Sequence, residues 1–136
     1  QLNKYSDRII LLNNAIGKDN KKVNISDNLA RSSVEEYTHQ SNGVVFQKSL
    51  DTIFDELTLW GQKIYVKMDV EGAELEILRG AKRVLAEQNT IFAISCYHYS
   101  KDLVNFSNLL KPLLENRKIY FRHLTTGAYE TVLFII

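Results

Sequence analysis

Apolar and polar positions follow two rhythms along this chain, and those rhythms mark out its elements. Residues 8–14 (RIILLNN) form a short apolar run bounded by polar residues, as a buried strand requires. The run ends at Asn14-Ala15-Ile16-Gly17, and the turn-rich KDNKK comes next. Residues 23–26 alternate as a short strand would, and Val44-Val45-Phe46 is another extended piece. Between them, residues 27–43 are rich in Ser, Asn and Glu with few apolar anchors, which predicts a long surface loop.

The helical rhythm begins at residues 49–59 (SLDTIFDELTL). Apolar residues at 50, 53, 54 and 57 share one helical face, Ser49 or Asp51 can cap the start, and Trp60-Gly61 stops it. Residues 64–69 (IYVKMD) predict a strand. A helix over 71–88 comes after it, with Gly80 inside marking a kink or a close packing contact. Residues 90–96 (TIFAISC) are almost wholly apolar and suit a strand covered on both faces. Ser100-Lys101-Asp102 opens a helix to about residue 116, which Pro112 should kink or split. Residues 119–124 and 131–136 make two strands, and the short Thr-Thr-Gly-Ala link favours an antiparallel hairpin. Strands alternating with helices argue an α/β fold with a parallel sheet.

Composition narrows the function classes. A chain of 136 residues makes one domain, and 45% apolar residues suffice for a core. Seventeen basic side chains against sixteen acidic ones leave a net charge of +1, without the basic surplus that nucleic-acid binding needs. Lys18, Lys21 and Lys22, interrupted by Asp19 and Asn20, read as a solvated turn. One cysteine, Cys96, excludes an internal disulfide and CxxC zinc chemistry and fits a reducing compartment. No apolar run is long enough to span a bilayer, and residues 1–8 lack the apolar stretch of a signal peptide. Position 1 is not methionine, which suggests an excised or processed piece. The expected location is cytoplasmic.

Ligands of open parallel sheets bind beyond the carboxyl ends of the strands. That rule selects Asn14-Ala15, Asp69 with Glu71, and Tyr97-His98. Asp69 closes an apolar strand, and Glu71, Gly72 and Glu74 open the next helix. Acidic residues there favour the positive end of the helix, so Glu71 and Glu74 serve equally as caps, Glu74 above all. Cys96 falls within a buried strand and reads as packing. Tyr97, Tyr99 and Tyr120 read first as core or rim residues that can also line an acceptor pocket. Arg122 and His123 alternate across a strand, and a solvated edge suits them best. Asp69, Glu71 and His98 offer oxygen and nitrogen ligands, but no local ligand spacing supports a metal, so none is assigned.

The string VKMDVEGAELEILRGA resembles the FkbM-type methyltransferases, whose fourth strand and following helix read close to KIDVEGAE. NNAIG resembles that family's third-strand ending, and Ser49-Leu50-Asp51 its S-L-D. Tyr97-His98 with Asp102-Leu103, then Tyr120-Phe121-Arg122-His123 and Glu130-Thr131-Val132-Leu133, resemble the endings of one branch. The resemblance implies a Rossmann-like methyltransferase sheet of order 3-2-1-4-5-7-6, mostly parallel with an antiparallel C-terminal hairpin. Mapped onto it, residues 1–136 are a partial methyltransferase domain from the third strand to the C-terminus, lacking the first two strands. None of the six glycines forms the glycine-rich cofactor turn. The remainder of a longer chain, or another copy in a homo-oligomer, is then expected to fill the gap.

The same resemblance implies S-adenosylmethionine as cofactor and a glycan or other small hydroxylated acceptor as partner, with no nucleic acid and no membrane span. Asp69 and His98 are the expected catalytic residues, His98 as base and Asp69 as base or orienting group. Asn14, Ala15, Asp69 and Glu71 are the expected cofactor contacts, with Asn14 at the adenine edge. The fragment alone is expected to be inactive. The competing expectation is a non-catalytic interaction domain that retains the methyltransferase fold.

Overall fold

The computed structural model describes residues 7–28, 31–36, 43–113, 115–127 and 130–136. Eight strands, four α-helices and a 3-10 turn succeed one another along these residues. The strands form two four-stranded sheets rather than one.

The larger core lies under the second sheet. Here β5 (Ile64–Met68) pairs in parallel with β6 (Thr90–Ser95), and β8 (Thr131–Ile135) runs antiparallel to both β6 and β7 (Ile119–His123). The order β5-β6-β8-β7 reproduces the 4-5-7-6 half of the expected sheet, with the last strand reversed. The apolar alternation of β6 and β8 puts Phe92, Ile94, Leu133 and Ile135 into this core, against Leu78 and Phe106 from the helices.

Helix α1 (Leu50–Glu56) begins where the Ser49 Oγ accepts the Thr52 N–H at 3.2 Å, a side-chain cap on an otherwise unpaired donor. The predicted helix over 71–88 is instead two: α2 (Glu74–Arg79) and α3 (Lys82–Ala86), broken at Gly80. A Cβ at Gly80 would lie 2.5 Å from the Gly17 carbonyl oxygen, so backbone of the first sheet packs where a side chain would stand. The gap between α2 and α3 is closed by Asp51, whose Oδ1 accepts the Arg83 and Val84 N–H groups at 3.1 and 3.0 Å. Helix α4 (Asp102–Leu110) passes into a 3-10 turn (Lys111–Leu113) at Pro112, which cannot continue the backbone ladder.

The first sheet departs most from the sequence reading. Its order is β1-β4-β2-β3, with β1 (Ala15–Ile16) parallel to β4 (Val44–Lys48) and β2 (Lys21–Asn28) antiparallel to both β3 (Arg31–Glu36) and β4. The strand expected over 8–14 is therefore only the dipeptide Ala15–Ile16. Ile10 and Leu11 are 70% and 84% exposed, because no strand lies beside them among the described residues. The expected loop over 27–43 is instead the end of β2 and all of β3, paired in register from Val23↔Glu36 to Asn28↔Arg31. Residues 29–30 and 37–42 lie outside the described residues.

Candidate functional site

Neighbouring parallel strands end on the same edge of a sheet, so the residues just past β5 and just past β6 meet in one place. Asp69 comes directly after β5, and Tyr97 and His98 lie just beyond the end of β6. The backbone after Asp69 turns sharply: Glu71 has φ +55° and Gly72 φ +101°. A left-handed Glu is uncommon, and glycine suits the next position because φ +101° strains any residue that has a Cβ; a Cβ there would also stand 2.7 Å from the Tyr99 hydroxyl. This turn places Glu71 outside and Glu74, the first residue of α2, inside.

His98 sits at the centre, its side chain only 3% exposed. Its Nε2 lies 3.4 Å from Asp69 Oδ1 and 3.1 Å from Glu74 Oε1, while its Nδ1 lies 4.0 Å from Glu71 Oε2. Glu74 is 2% exposed, and its Oε1 accepts the Val70 N–H at 2.9 Å, holding the turn closed. Asp69 is the open member, with a side chain 46% exposed. The Tyr97 hydroxyl donates to Asp69 Oδ1 at 3.2 Å, and the Lys67 ammonium stands 3.8 Å from Oδ2. The Tyr97 and His98 rings are 4.4 Å apart at a tilt of 47°, which keeps the two side chains together over the strand end.

The electrostatics derive from these contacts. Partial burial pushes the Asp69 carboxyl up. Hydrogen bonding from Ser95, the Lys67 charge, the Tyr97 hydroxyl and His98 outweigh it and hold the group below the usual carboxylate value. Tyr97 moves the other way, because burial and the Asp69 charge both disfavour its phenolate. At neutral pH the site therefore presents an ionised carboxylate beside a neutral phenol.

Of the residues expected from sequence, the structure brings Asp69, Glu71 and His98 together. Ala15 lies in the first sheet, paired with Gln47, and Asn14 just before it, where its Nδ2 donates to the Phe46 carbonyl at 3.0 Å. His98 is buried behind Asp69 rather than facing solvent. Sequence reasoning treated Glu74 chiefly as a cap and so missed its contact with His98. A signal was present: Glu74, Ile77, Leu78 and Ala81 share the i, i+3, i+4, i+7 spacing of a core-facing stripe, and all four are buried. A carboxylate on that stripe needs a partner, and His98 is beside it. Arg122 and His123 are exposed on β7, where His123 Nδ1 lies 2.9 Å from Thr131 Oγ1.

A hollow lined by Gly72, Leu75, Tyr99, Lys101 and Asn105 adjoins the turn, with a volume of about 430 Å³. It shares Gly72 with the turn and Tyr99 with the segment after His98.

Among families of known proteins, the methyltransferase FkbM domain matches residues 1–120. The crystal structure of methyltransferase FkbM from Methylobacillus flagellatus KT is similar over 99% of this chain, with a TM-score of 0.68 and 26% identity. The chain spans 32% of the length of that protein. No curated protein matches the sequence.

Proposed function

The chain belongs to the FkbM methyltransferase family, and from that premise we propose that it carries part of the active site of an S-adenosylmethionine-dependent methyltransferase. The acceptor we propose is a hydroxyl of a glycan or another small molecule. The observation that supports this reading best is the meeting of Asp69 and His98, 3.4 Å apart, beyond the ends of two parallel strands. An ionised carboxylate with an imidazole behind it is what a hydroxyl needs in order to be oriented and to lose its proton.

The described residues fit one side of the cofactor. Asp69 and Glu71 are half-exposed carboxylates suited to an ammonium group. Asn14, whose amide nitrogen is held by Phe46, keeps its oxygen as an acceptor for the adenine amine, with Ala15 as the apolar edge beside it. S-adenosylmethionine supplies a methyl group on a sulfonium, an electrophile that needs alignment more than covalent help. Asp69 orients the acceptor hydroxyl, the Asp69–His98 pair draws off its proton, and the hollow beside Gly72 receives the rest of the acceptor. None of the six glycines supplies a glycine-rich cofactor turn, so contacts of that kind come from outside these residues. We propose a cytoplasmic location, which suits a chain whose single cysteine can form no internal disulfide; no helix among the described residues is long and apolar enough to cross a membrane.

The test is methyl transfer from labelled S-adenosylmethionine to glycan and small-molecule extracts by the full-length protein. Asp69→Asn and His98→Gln are each expected to lower transfer by about a hundredfold, the lower range for loss of a general base. Transfer at the wild-type rate by Asp69→Asn would remove the assignment.

A further inference from the structure

We propose that Asp69, Glu74 and His98 form a binding site for a divalent cation of the manganese type. This goes beyond the methyltransferase reading, because cation binding is asserted of the cluster whether or not methyl transfer occurs there.

Three observations carry it. One ligand atom from each of the three residues lies within 4.8 Å of the other two. Adjacent ligands around a divalent ion at roughly 2.1 Å stand about 3 Å apart. The 3.1 Å from His98 Nε2 to Glu74 Oε1 and the 3.4 Å to Asp69 Oδ1 are near that edge length.

The second observation is His98 Nε2 itself. The side chain is 3% exposed, yet this nitrogen has no hydrogen-bond partner among the described residues. Both carboxylate oxygens are close enough, but neither lies in the direction a ring N–H bond needs. A buried ring nitrogen left unpaired is costly. A cation held between the nitrogen and the two oxygens would take up its lone pair.

The third observation is the surrounding shell. Glu74 Oε1 accepts the Val70 N–H, and Asp69 Oδ1 accepts the Tyr97 hydroxyl, so both oxygens are oriented from outside the cluster. The Lys67 ammonium lies nearer Asp69 Oδ2, on the other side of the carboxylate. Glu74 is closed to solvent and Asp69 is open, so a bound cation would keep positions for water or an acceptor oxygen on the Asp69 side. One imidazole with two carboxylates is a mixed nitrogen and oxygen set, which suits Mn²⁺ better than thiolate-seeking metals.

The experiment uses metal-free full-length protein titrated with Mn²⁺ alone and followed by calorimetry and electron paramagnetic resonance. One Mn²⁺ per chain is expected, with nitrogen coupling from an imidazole in the pulsed spectrum. Asp69→Asn, at the open position, is expected to weaken binding by about tenfold or more, and His98→Gln to abolish the nitrogen coupling. Circular dichroism of each variant checks that the fold is retained. No bound Mn²⁺ in the wild type, or equal binding by a folded Asp69→Asn, overturns the site. Methyl transfer is read separately on the same preparation. A protein that transfers methyl but takes up no Mn²⁺ on titration overturns the cation site alone, whereas bound Mn²⁺ without transfer supports the site and removes the functional reading.

Discussion

Cys96 lies just past β6 with its thiol donating to the Thr131 carbonyl at 3.4 Å, in surroundings that disfavour a negative charge. Burial, then the nearby Asp102 and Glu74 carboxylates, push the thiol from its ordinary value of 9.0 up to about 11. A group that holds its proton more tightly when folded stabilises the fold fully below pH 9. That contribution fades as pH rises from 9 towards 11. Cys96→Ala should therefore lose less stability between pH 9 and 11 than the wild type in parallel denaturant titrations. Equal slopes would show that the thiol does not titrate late. The thiol should also resist alkylation at pH 7.5 until the protein is unfolded.

Other single residues differ in how far the sequence discloses them. Asp69 and His98 are legible because each comes after an apolar run, and such positions gather at one sheet edge. Glu74 is not, because the rule that places acids at a helix start explains it before burial is known. Burial is a property of the packed helix, and only that turns a cap into a neighbour of His98.

Asp51 shows the same effect between elements. Its place in the first turn of α1 suggests a cap for that helix, but its carboxylate reaches the backbone N–H groups of Arg83 and Val84 at the start of α3. The Arg83 guanidinium adds hydrogen bonds to Asp55 and lies 4.8 Å over the Trp60 ring, fastening the two helices further. Asp51→Ala leaves those N–H groups unpaired and should cost about 1–2 kcal/mol in urea unfolding. Asp51→Asn should recover most of the loss, since an amide oxygen still accepts. If alanine and asparagine cost the same, the cap is not what Asp51 contributes.

The helices are legible at this scale because each buries one face and so carries a period, and β6 because it is buried on both faces and reads as an unbroken apolar run. The break at Gly80 is legible too, glycine being rare inside a helix without a reason. Of the β2–β3 ribbon, only the alternating residues 23–26 of β2 are legible. Its strands KKVNISDN and RSSVEE have few apolar anchors, and backbone hydrogen bonds between them leave no mark in hydropathy. The reverse holds for residues 8–14, where apolar character alone does not make a strand without a neighbour to pair with.

Across the whole molecule, one buried guanidinium ties together pieces distant in sequence. Arg117 donates to the carbonyls of Leu85 and Glu87 at the end of α3, Thr90 at the start of β6 and Ile135 at the end of β8. The two helix-end carbonyls favour a positive charge, although burial alone pushes the Arg117 pKa down. Arg117→Met fills the space without donating; the Glu87 carbonyl keeps the Thr90 N–H, and any buried carbonyl left without a donor costs about 1–3 kcal/mol. Its denaturation midpoint should fall well below that of the wild type, and an unchanged midpoint would mean water replaces the guanidinium.

The first sheet poses a different problem for the molecule as a whole. Ile10 and Leu11 are largely exposed, and Ile25, Val44 and Phe46 of β2 and β4 are partly so. Several exposed aliphatic side chains in one short run lie outside what a monomeric surface usually tolerates, and such surfaces are commonly covered by other protein. The 136-residue chain by itself should therefore associate as its concentration rises, seen as a growing mass in light scattering over a dilution series. Ile10→Lys with Leu11→Lys places two charges where apolar contact would occur, and should hold the protein to a single-chain mass at every concentration. Neither residue belongs to the core around Phe92, so the paired variant should unfold at the same denaturant concentration. If the unaltered protein stays a single chain throughout, these side chains are tolerated in water and no covering surface is called for.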